Sequence, residues 1–275
     1  MTTETGKTNR GTVVLLLLSG LLLAAAAVCY FFVDERVFSY LQNNPQTWHK
    51  DLWAQALKQL GRSYPLIWLL LVWVWLTGKH KTVIVCLLSL LITLAAVTVI
   101  KETVRRPRPR DVITTETKAG DEKDIYRSWS FPSGDTASVF AAVTVLAFAV
   151  RWPVTVLFAV CCSGVAILRV AVIAHYPSDA LGGAATGILS GWSAILIRNR
   201  YPGVENIFKG RERMLSFIGV ILIPILTWRL QGLDTLIILL EFYVPIALIS
   251  IVVDRWQSKQ TRTADITYID ETKGK

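Results

Sequence analysis

Charged side chains are scarce in this sequence, and long stretches have none. Asp, Glu, Lys and Arg make up 18% of the 275 residues, whereas an ordinary soluble domain has about 25%. No charged residue occurs in 11–33, 82–100 or 180–197, and about 20 mostly apolar residues suffice for one membrane-spanning helix. The pattern excludes a disordered chain and a disulfide scaffold, and it predicts an all-α fold that is a polytopic transmembrane helix bundle.

Cysteine and histidine are also few. The four Cys lie inside apolar runs without a CxxC pair, and the chain has three His. Such cysteines ordinarily serve as small packing residues, and no spacing suggests a zinc or redox centre. The sequence therefore predicts neither a metal nor another cofactor.

The apolar runs divide the chain into helices and connections. Six core helices are predicted, at 12–33, 63–78, 82–104, 135–150, 153–174 and 178–197. Two weaker apolar segments, at 214–229 and 233–253, predict an additional C-terminal apolar hairpin. The resulting regions are an uncleaved N-terminal transmembrane anchor (1–34), an outer loop (35–62), the main helix bundle (63–200), the additional apolar segments (201–253) and a polar tail (254–275).

The outer loop contains an amphipathic stretch at 45–60. Trp48, Trp53 and Leu57 share one face of a helix there, and Pro45 suits its first position. We interpret this stretch as a helix lying in the outer membrane interface. A helix on the soluble side that packs against the spans is the alternative.

The short connections are basic, which predicts how the chain is oriented. Because basic loops stay in the cytoplasm, the N-terminus is predicted to be cytoplasmic and 34–62 and 105–134 to face outward. A retained anchor with basic short loops fits a bacterial inner membrane. The net charge of +9 does not indicate a nucleic-acid partner, because the basic residues lie beside the spans.

Gly183, Gly187 and Gly191 recur every four residues along the last core helix. Small residues at this spacing let a second helix approach closely. We therefore predict a packing role for them and no chemical one.

Several cations lie on the predicted outer side, although basic residues beside the spans ordinarily stay on the cytoplasmic side. For Arg105, Arg106 and Arg110 we interpret this as contact with anionic lipids of the outer leaflet, with phosphate binding as the alternative. Lys101, Arg108 and Arg169 require another explanation, since an ionisable group at membrane depth is costly and is functional by default.

A bound phosphate would explain these three cations. Arginine offers a planar fork to phosphate oxygens, and lysine offers a point charge. We predict that Lys101, Arg108 and Arg169 bind phosphate at the outer ends of their helices.

The segment at 132–136 precedes a helix. The N-terminus of a helix presents free N–H groups to an anion, and Gly134 permits a close approach of the backbone. Ser133 and Gly134 are therefore predicted to bind phosphate, with a plain helix cap by Ser133 or Asp135 as the alternative.

His175 is the candidate nucleophile. Asp179 follows it by four residues, and a carboxylate can hold one imidazole nitrogen protonated while the other is free to attack. The alternative is that Asp179 only favours the helix N-terminus. His49 and His80 are interpreted as solvated.

These segments resemble the signature of the type 2 phosphatidic acid phosphatase (PAP2) superfamily. Its first motif, Lys-x6-Arg-Pro, matches Lys101, Arg108 and Pro109, and its third motif matches Arg169, His175 and Asp179. The resemblance covers about 80–200. It implies a six-helix PAP2-like core and an integral membrane lipid phosphatase that is independent of metal and forms a phosphohistidine.

The second motif departs from the family. This chain has Pro-Ser-Gly-Asp at 132–135, where the family usually has His in place of Asp135. That histidine is thought to protonate the leaving oxygen. We interpret Asp135 as an acid or an orienting group.

The predicted function is hydrolysis of a phosphate mono- or diphosphate ester of a lipid at the outer or periplasmic face. The predicted partners are a lipid phosphate substrate and the bilayer, without nucleic acid. A lipid-to-lipid phosphotransferase and a non-catalytic lipid-binding or transport protein are the alternatives.

Overall fold

The computed structural model describes residues 2–43, 62–77, 81–112 and 129–203, and single positions beyond 203. Seven α-helices form this part of the chain: α1 (Thr2–Phe32), α2 (Asp34–Asn43), α3 (Ser63–Thr77), α4 (Lys81–Val104), α5 (Gly134–Ala147), α6 (Trp152–Ala171) and α7 (Pro177–Arg200). The predicted all-α fold is confirmed. The amphipathic stretch at 45–60, most of 201–253 and the tail at 254–275 lie outside the described residues.

Four of these helices are long and apolar enough to cross a membrane. They are α1, α4, α6 and α7, while α3 and α5 are shorter apolar helices. Large apolar side chains of α1 face outward, such as Leu17, Leu21 and Phe31, as expected of a helix surrounded by lipid. The chain is an integral membrane protein, and its orientation and membrane of residence stay predictions.

Helix α2 was not predicted. It lies in the segment assigned to the outer loop, and a single residue, Val33, separates it from α1. The Val37 amide donates to the Val33 carbonyl at 2.9 Å. Asp34 and Glu35 in its first turn suit the positive end of the helix dipole. Residues 34–43 contain no long apolar run, so the apolar pattern did not predict this short polar helix.

Helix α7 lies at the centre of the bundle and packs against α1, α4, α5 and α6. A Cβ added to Gly187 would lie 2.2 Å from the Ala137 carbonyl oxygen, and one on Gly183 2.6 Å from the Ser133 carbonyl oxygen. The predicted packing role of the glycines is confirmed. The close crossing brings the start of α5 against the start of α7.

A second contact region joins α3, α5 and α6. Its core includes Leu66, Trp73, Val139 and Phe158, and the rings of Trp73 and Phe158 meet edge to face at 6.3 Å. This packing places the N-terminus of α3 beside the N-terminus of α5.

Helix α6 ends at Ala171, three residues before its predicted end. Ile173 has a φ of 54°, which is unusual for a β-branched residue. The amides of Ala174 and His175 both donate to the Arg169 carbonyl, at 3.1 and 3.2 Å. This turn ends the helix and directs the chain into the connection that carries His175.

Candidate active site

The three polar segments meet at one cavity of about 350 Å³. Its wall includes Lys101, Arg108, Gly134, Asp135 and His175. These residues come from the end of α4, the start of α5 and the α6–α7 connection. The predicted convergence therefore holds for five of the eight predicted site residues. The other three do not line the cavity but adjoin residues that do: Ser133 precedes Gly134, Arg169 faces Asp135 and Asp179 faces His175.

His175 and Asp179 form a buried pair. The His175 Nδ1 atom lies 3.5 Å from Asp179 Oδ2 and 3.3 Å from Ser130 Oγ. The Ser130 hydroxyl donates to Asp179 Oδ2, and the Tyr176 amide donates to the same oxygen at 2.9 Å. Since Nδ1 faces this group of acceptors, Nε2 is the ring nitrogen that is left for the cavity.

Burial controls the charge of His175. Desolvation lowers the pKa of its imidazole to about 4, although the hydrogen bond and the charge of Asp179 act in the opposite direction. The ring is therefore neutral at pH 7 and retains a lone pair, as a nucleophile requires.

Two of the predicted phosphate-binding cations line the cavity and the third lies behind its wall. Lys101 Nζ donates to the Trp129 carbonyl oxygen, which ties the end of α4 to the segment before α5. Arg169 Nε is buried and lacks a hydrogen-bond partner among the described residues. The nearest carboxylate oxygen, Asp135 Oδ2, is 3.4 Å away. An anion in the cavity could complete the hydrogen bonding of this guanidinium group.

Ser133 lies behind the cavity wall. Its hydroxyl accepts from the Thr136 hydroxyl at 3.0 Å and caps α5, while its amide donates to the Asp179 carbonyl at 2.9 Å. Gly134 lines the cavity itself. The predicted capping alternative therefore describes the Ser133 hydroxyl, and phosphate binding by Ser133 stays a prediction.

Asp135 is held by α3 and α6. Its Oδ1 atom accepts from the Ser63 amide and from the Ser63 hydroxyl, both at 2.9 Å. Its Oδ2 atom faces Arg169. Ser63 was not predicted, because the contact joins two segments that are 72 residues apart.

Arg106 is the main functional candidate that the sequence analysis missed. Its Nη1 atom lies 2.8 Å from Asp34 Oδ2, 3.2 Å from Asp179 Oδ1 and 2.6 Å from Ser178 Oγ. The guanidinium also stacks on the Tyr176 ring at 3.7 Å. The interpretation of Arg106 as a lipid contact is wrong, since two buried carboxylates bind its side chain inside the bundle.

Asp34 completes this group. Its Oδ1 atom accepts from the Ser178 amide at 3.0 Å, and its Oδ2 atom accepts from the Ser178 hydroxyl. The only sequence signal was a single acid that directly follows an apolar span. Arg105 and Arg110, by contrast, are largely exposed, and their contact with lipids stays a prediction.

Among the described residues, no group of three or more His, Cys, Asp or Glu could hold a metal ion. The polar atoms of the cavity wall are instead cations, amides, hydroxyls, one carboxylate and one imidazole.

Comparisons with known proteins bear on the same region. Residues 82–202 match the family model of the PAP2 superfamily. Among solved structures, the crystal structure of Aquifex aeolicus LpxE is similar, with 25% identity, 60% of this chain and 95% of that chain covered, and a TM-score of 0.45. The search of curated proteins returned no significant match.

Proposed function

We propose that this chain, whose residues 82–202 match the family model of the PAP2 superfamily, is an integral membrane phosphatase that removes phosphate from a lipid through a phosphohistidine on His175. The observation that carries the proposal is a neutral, buried imidazole that shares one cavity with Lys101 and Arg108. A candidate nucleophile and two cations that could bind phosphate thus line one open cavity.

In the first step, His175 Nε2 attacks the phosphorus atom. A P–N bond forms, and the P–O bond to the lipid breaks with its electron pair on the departing oxygen. Asp179 and Ser130 hold the Nδ1 side of the ring in one orientation. The Asp179 carboxylate also stabilises the positive charge that develops on the imidazole.

The cations and the start of α5 stabilise the transferring phosphoryl group. Negative charge on its equatorial oxygens is met by Lys101, Arg108 and Arg169, and the N-terminus of α5 at Gly134 adds its amides and its dipole. Because these groups lie on packed helices, they need little rearrangement during the reaction. Water then attacks the phosphohistidine and releases phosphate.

Arg106 and Asp34 act as positioning residues. Arg106 bridges the two carboxylates of Asp34 and Asp179, so the α1–α2 junction supports the residue that orients His175. Asp34 also binds the first turn of α7 through Ser178. The N-terminal anchor thereby becomes part of the active-site structure.

A lipid substrate fits the composition of the cavity wall. Thr93, Leu94 and Val97 of α4 line one part of it, and the cations line another. Leu94 is 65% exposed on the outside of the bundle, where acyl or prenyl tails would lie. The headgroup phosphate could bind the cations while the tails stay in the bilayer, with the cavity at the outer or periplasmic face.

The test is phosphate release by the purified full chain in mixed micelles that contain a panel of lipid phosphates. We expect wild-type turnover and complete loss in His175→Ala. His80→Ala is the matched control, because the sequence places His80 in a basic inner connection, and it should retain full activity. Retained activity in His175→Ala would overturn the proposal.

The same assay separates hydrolysis from phosphate transfer. An added lipid alcohol that becomes phosphorylated, while free phosphate stays low, would identify a phosphotransferase. Binding of lipid phosphate without either product would identify the non-catalytic alternative.

A further inference from the structure

The contacts of Asp135 are those of a hydrogen-bond acceptor. Its Oδ1 atom accepts two hydrogen bonds from Ser63, and Arg169 faces its Oδ2 atom. Both oxygens thus face donors or a cation, an arrangement that suits a proton acceptor better than a proton donor.

The other described groups of the cavity wall that carry a proton are very weak acids or have another proposed role. The hydroxyls of Ser63, Thr93 and Ser138 are very weak acids, and an arginine such as Arg108 does not deprotonate in proteins. Proton loss from Lys101 would remove a charge that holds the phosphate. His175 is the proposed nucleophile and is neutral before the reaction.

The nature of the leaving group then decides which lipids can react. A phosphomonoester must release an alkoxide, and alcohols are very weak acids, about as weak as water. A diphosphate releases a phosphate group, whose second pKa is about 6. A diphosphate can therefore react without a proton donor, and a monoester cannot do so efficiently.

We propose that Asp135 acts as the general base of the second step and that the enzyme accordingly cleaves the phosphoanhydride bond of lipid diphosphates rather than lipid monophosphates. This inference rests on the proposed function. It assigns a substrate class to that function and a role to the residue at which the chain departs from the family motif.

In the first step, His175 Nε2 forms a bond to the terminal phosphorus, and the bridging P–O bond breaks with its electron pair on the lipid monophosphate that leaves. A water molecule then attacks the phosphohistidine and gives its proton to Asp135 Oδ2. The P–N bond breaks, its electron pair returns to Nε2, inorganic phosphate departs, and Asp135 loses the proton to solvent.

The test compares matched lipids with the full chain in mixed micelles. One pair is a polyprenyl diphosphate and the monophosphate of the same chain length. The other pair is diacylglycerol diphosphate and phosphatidic acid. Within the pair that is turned over, kcat/KM should favour the diphosphate by at least about 100-fold, since a general acid contributes about 10²–10⁴-fold when an alkoxide leaves.

Two variants sharpen the test. Asp135→His introduces a group that can donate a proton, and it should raise the monophosphate rate at least about tenfold. Asp135→Asn, the matched control, can neither donate nor accept this proton. It should not raise the monophosphate rate, and it should accumulate phosphoenzyme on the diphosphate.

The outcomes distinguish this inference from the proposed function. A wild-type preference below about 100-fold, with His175→Ala inactive, overturns the inference and leaves the proposed phosphatase intact. Turnover of neither pair overturns both. The ratio of kcat/KM for the diphosphate to kcat/KM for the monophosphate in the wild type decides the question. The test therefore does not depend on the folding of a variant.

Discussion

The molecule contains two arginine–aspartate groups that differ in their surroundings. Arg106 lies between Asp34 and Asp179, whose side chains are 3% and 0% exposed. Arg169 faces Asp135, whose side chain is 27% exposed and lines the cavity. The first group joins helices behind the nucleophile, and the second borders the space for the substrate. The comparison suggests that the first group supports the fold and the active site together, while the second serves the chemistry.

The largest expected effect is on the buried group. Arg106→Ala leaves two buried carboxylates without their shared cation, and removing one partner of a buried ion pair costs about 3–5 kcal/mol. We expect a loss of this size in the free energy of unfolding, measured in mixed micelles, together with a fall in kcat.

The matched control is Arg110→Ala. Arg110 pairs with Asp111 at 3.5 Å and its side chain is 55% exposed, so the change should stay within about 0.5 kcal/mol. In a double-mutant cycle, Arg106→Ala and Asp34→Asn should show strong coupling. Additive effects would mean that the two side chains do not act as one group.

The next effect depends on pH and concerns the nucleophile that the buried group supports. Because the pKa of His175 lies near 4 in the folded protein and near 6.5 in the unfolded chain, the unfolded chain binds more protons between these values. The contribution of His175 to the free energy of unfolding is therefore present above pH 6.5 and is lost as the pH falls toward 4. At pH 5.5, about 1 kcal/mol of it has been lost.

Two measurements check this dependence. The unfolding free energy of His175→Gln should fall less than that of the wild type between pH 7 and 5.5. NMR titration of labelled histidine in the ligand-free protein should place the pKa of His175 near 4. A pKa of His175 near 6.5 would show that the ring is solvated and is not held in a buried pair.

The smallest effect on stability is expected in the cavity group. Asp135→Asn removes a partly exposed pair, for which about 0.2–1 kcal/mol is typical. We expect little change in unfolding but a clear fall in kcat with the preferred lipid. A stability loss as large as that of Arg106→Ala would erase the distinction between the two groups.

The sequence was informative where a pattern repeats along one helix. Apolar runs located the ends of six helices to within three residues, except at the N-terminus, where α1 continues through polar residues to Thr2. The glycine spacing of α7 predicted the close approach of another helix, which the structure shows to be α5. Motif spacing also predicted the convergence of Lys101, Arg108 and His175 on one cavity.

Contacts between segments that are distant in the sequence could not be predicted from patterns along one helix. The Ser178 amide binds Asp34 across 144 residues, and neither residue belongs to a periodic pattern. Arg106 resembled its exposed neighbours in the sequence, and only the packing of α1 and α2 against α7 distinguishes it. Asp135 was recognised as a departure from the family, but its contacts with Ser63 and Arg169 required the folded chain.

The most direct test of the account is identification of the phosphorylated residue. The full chain would be mixed with a lipid phosphate that it turns over, quenched rapidly under alkaline conditions that preserve phosphohistidine, and mapped by mass spectrometry. We expect phosphate on His175, and we expect it to be lost in His175→Ala and retained in His80→Ala. Turnover with phosphate on another residue, or with no phosphoenzyme in a quench fast enough to capture one turnover, would contradict it.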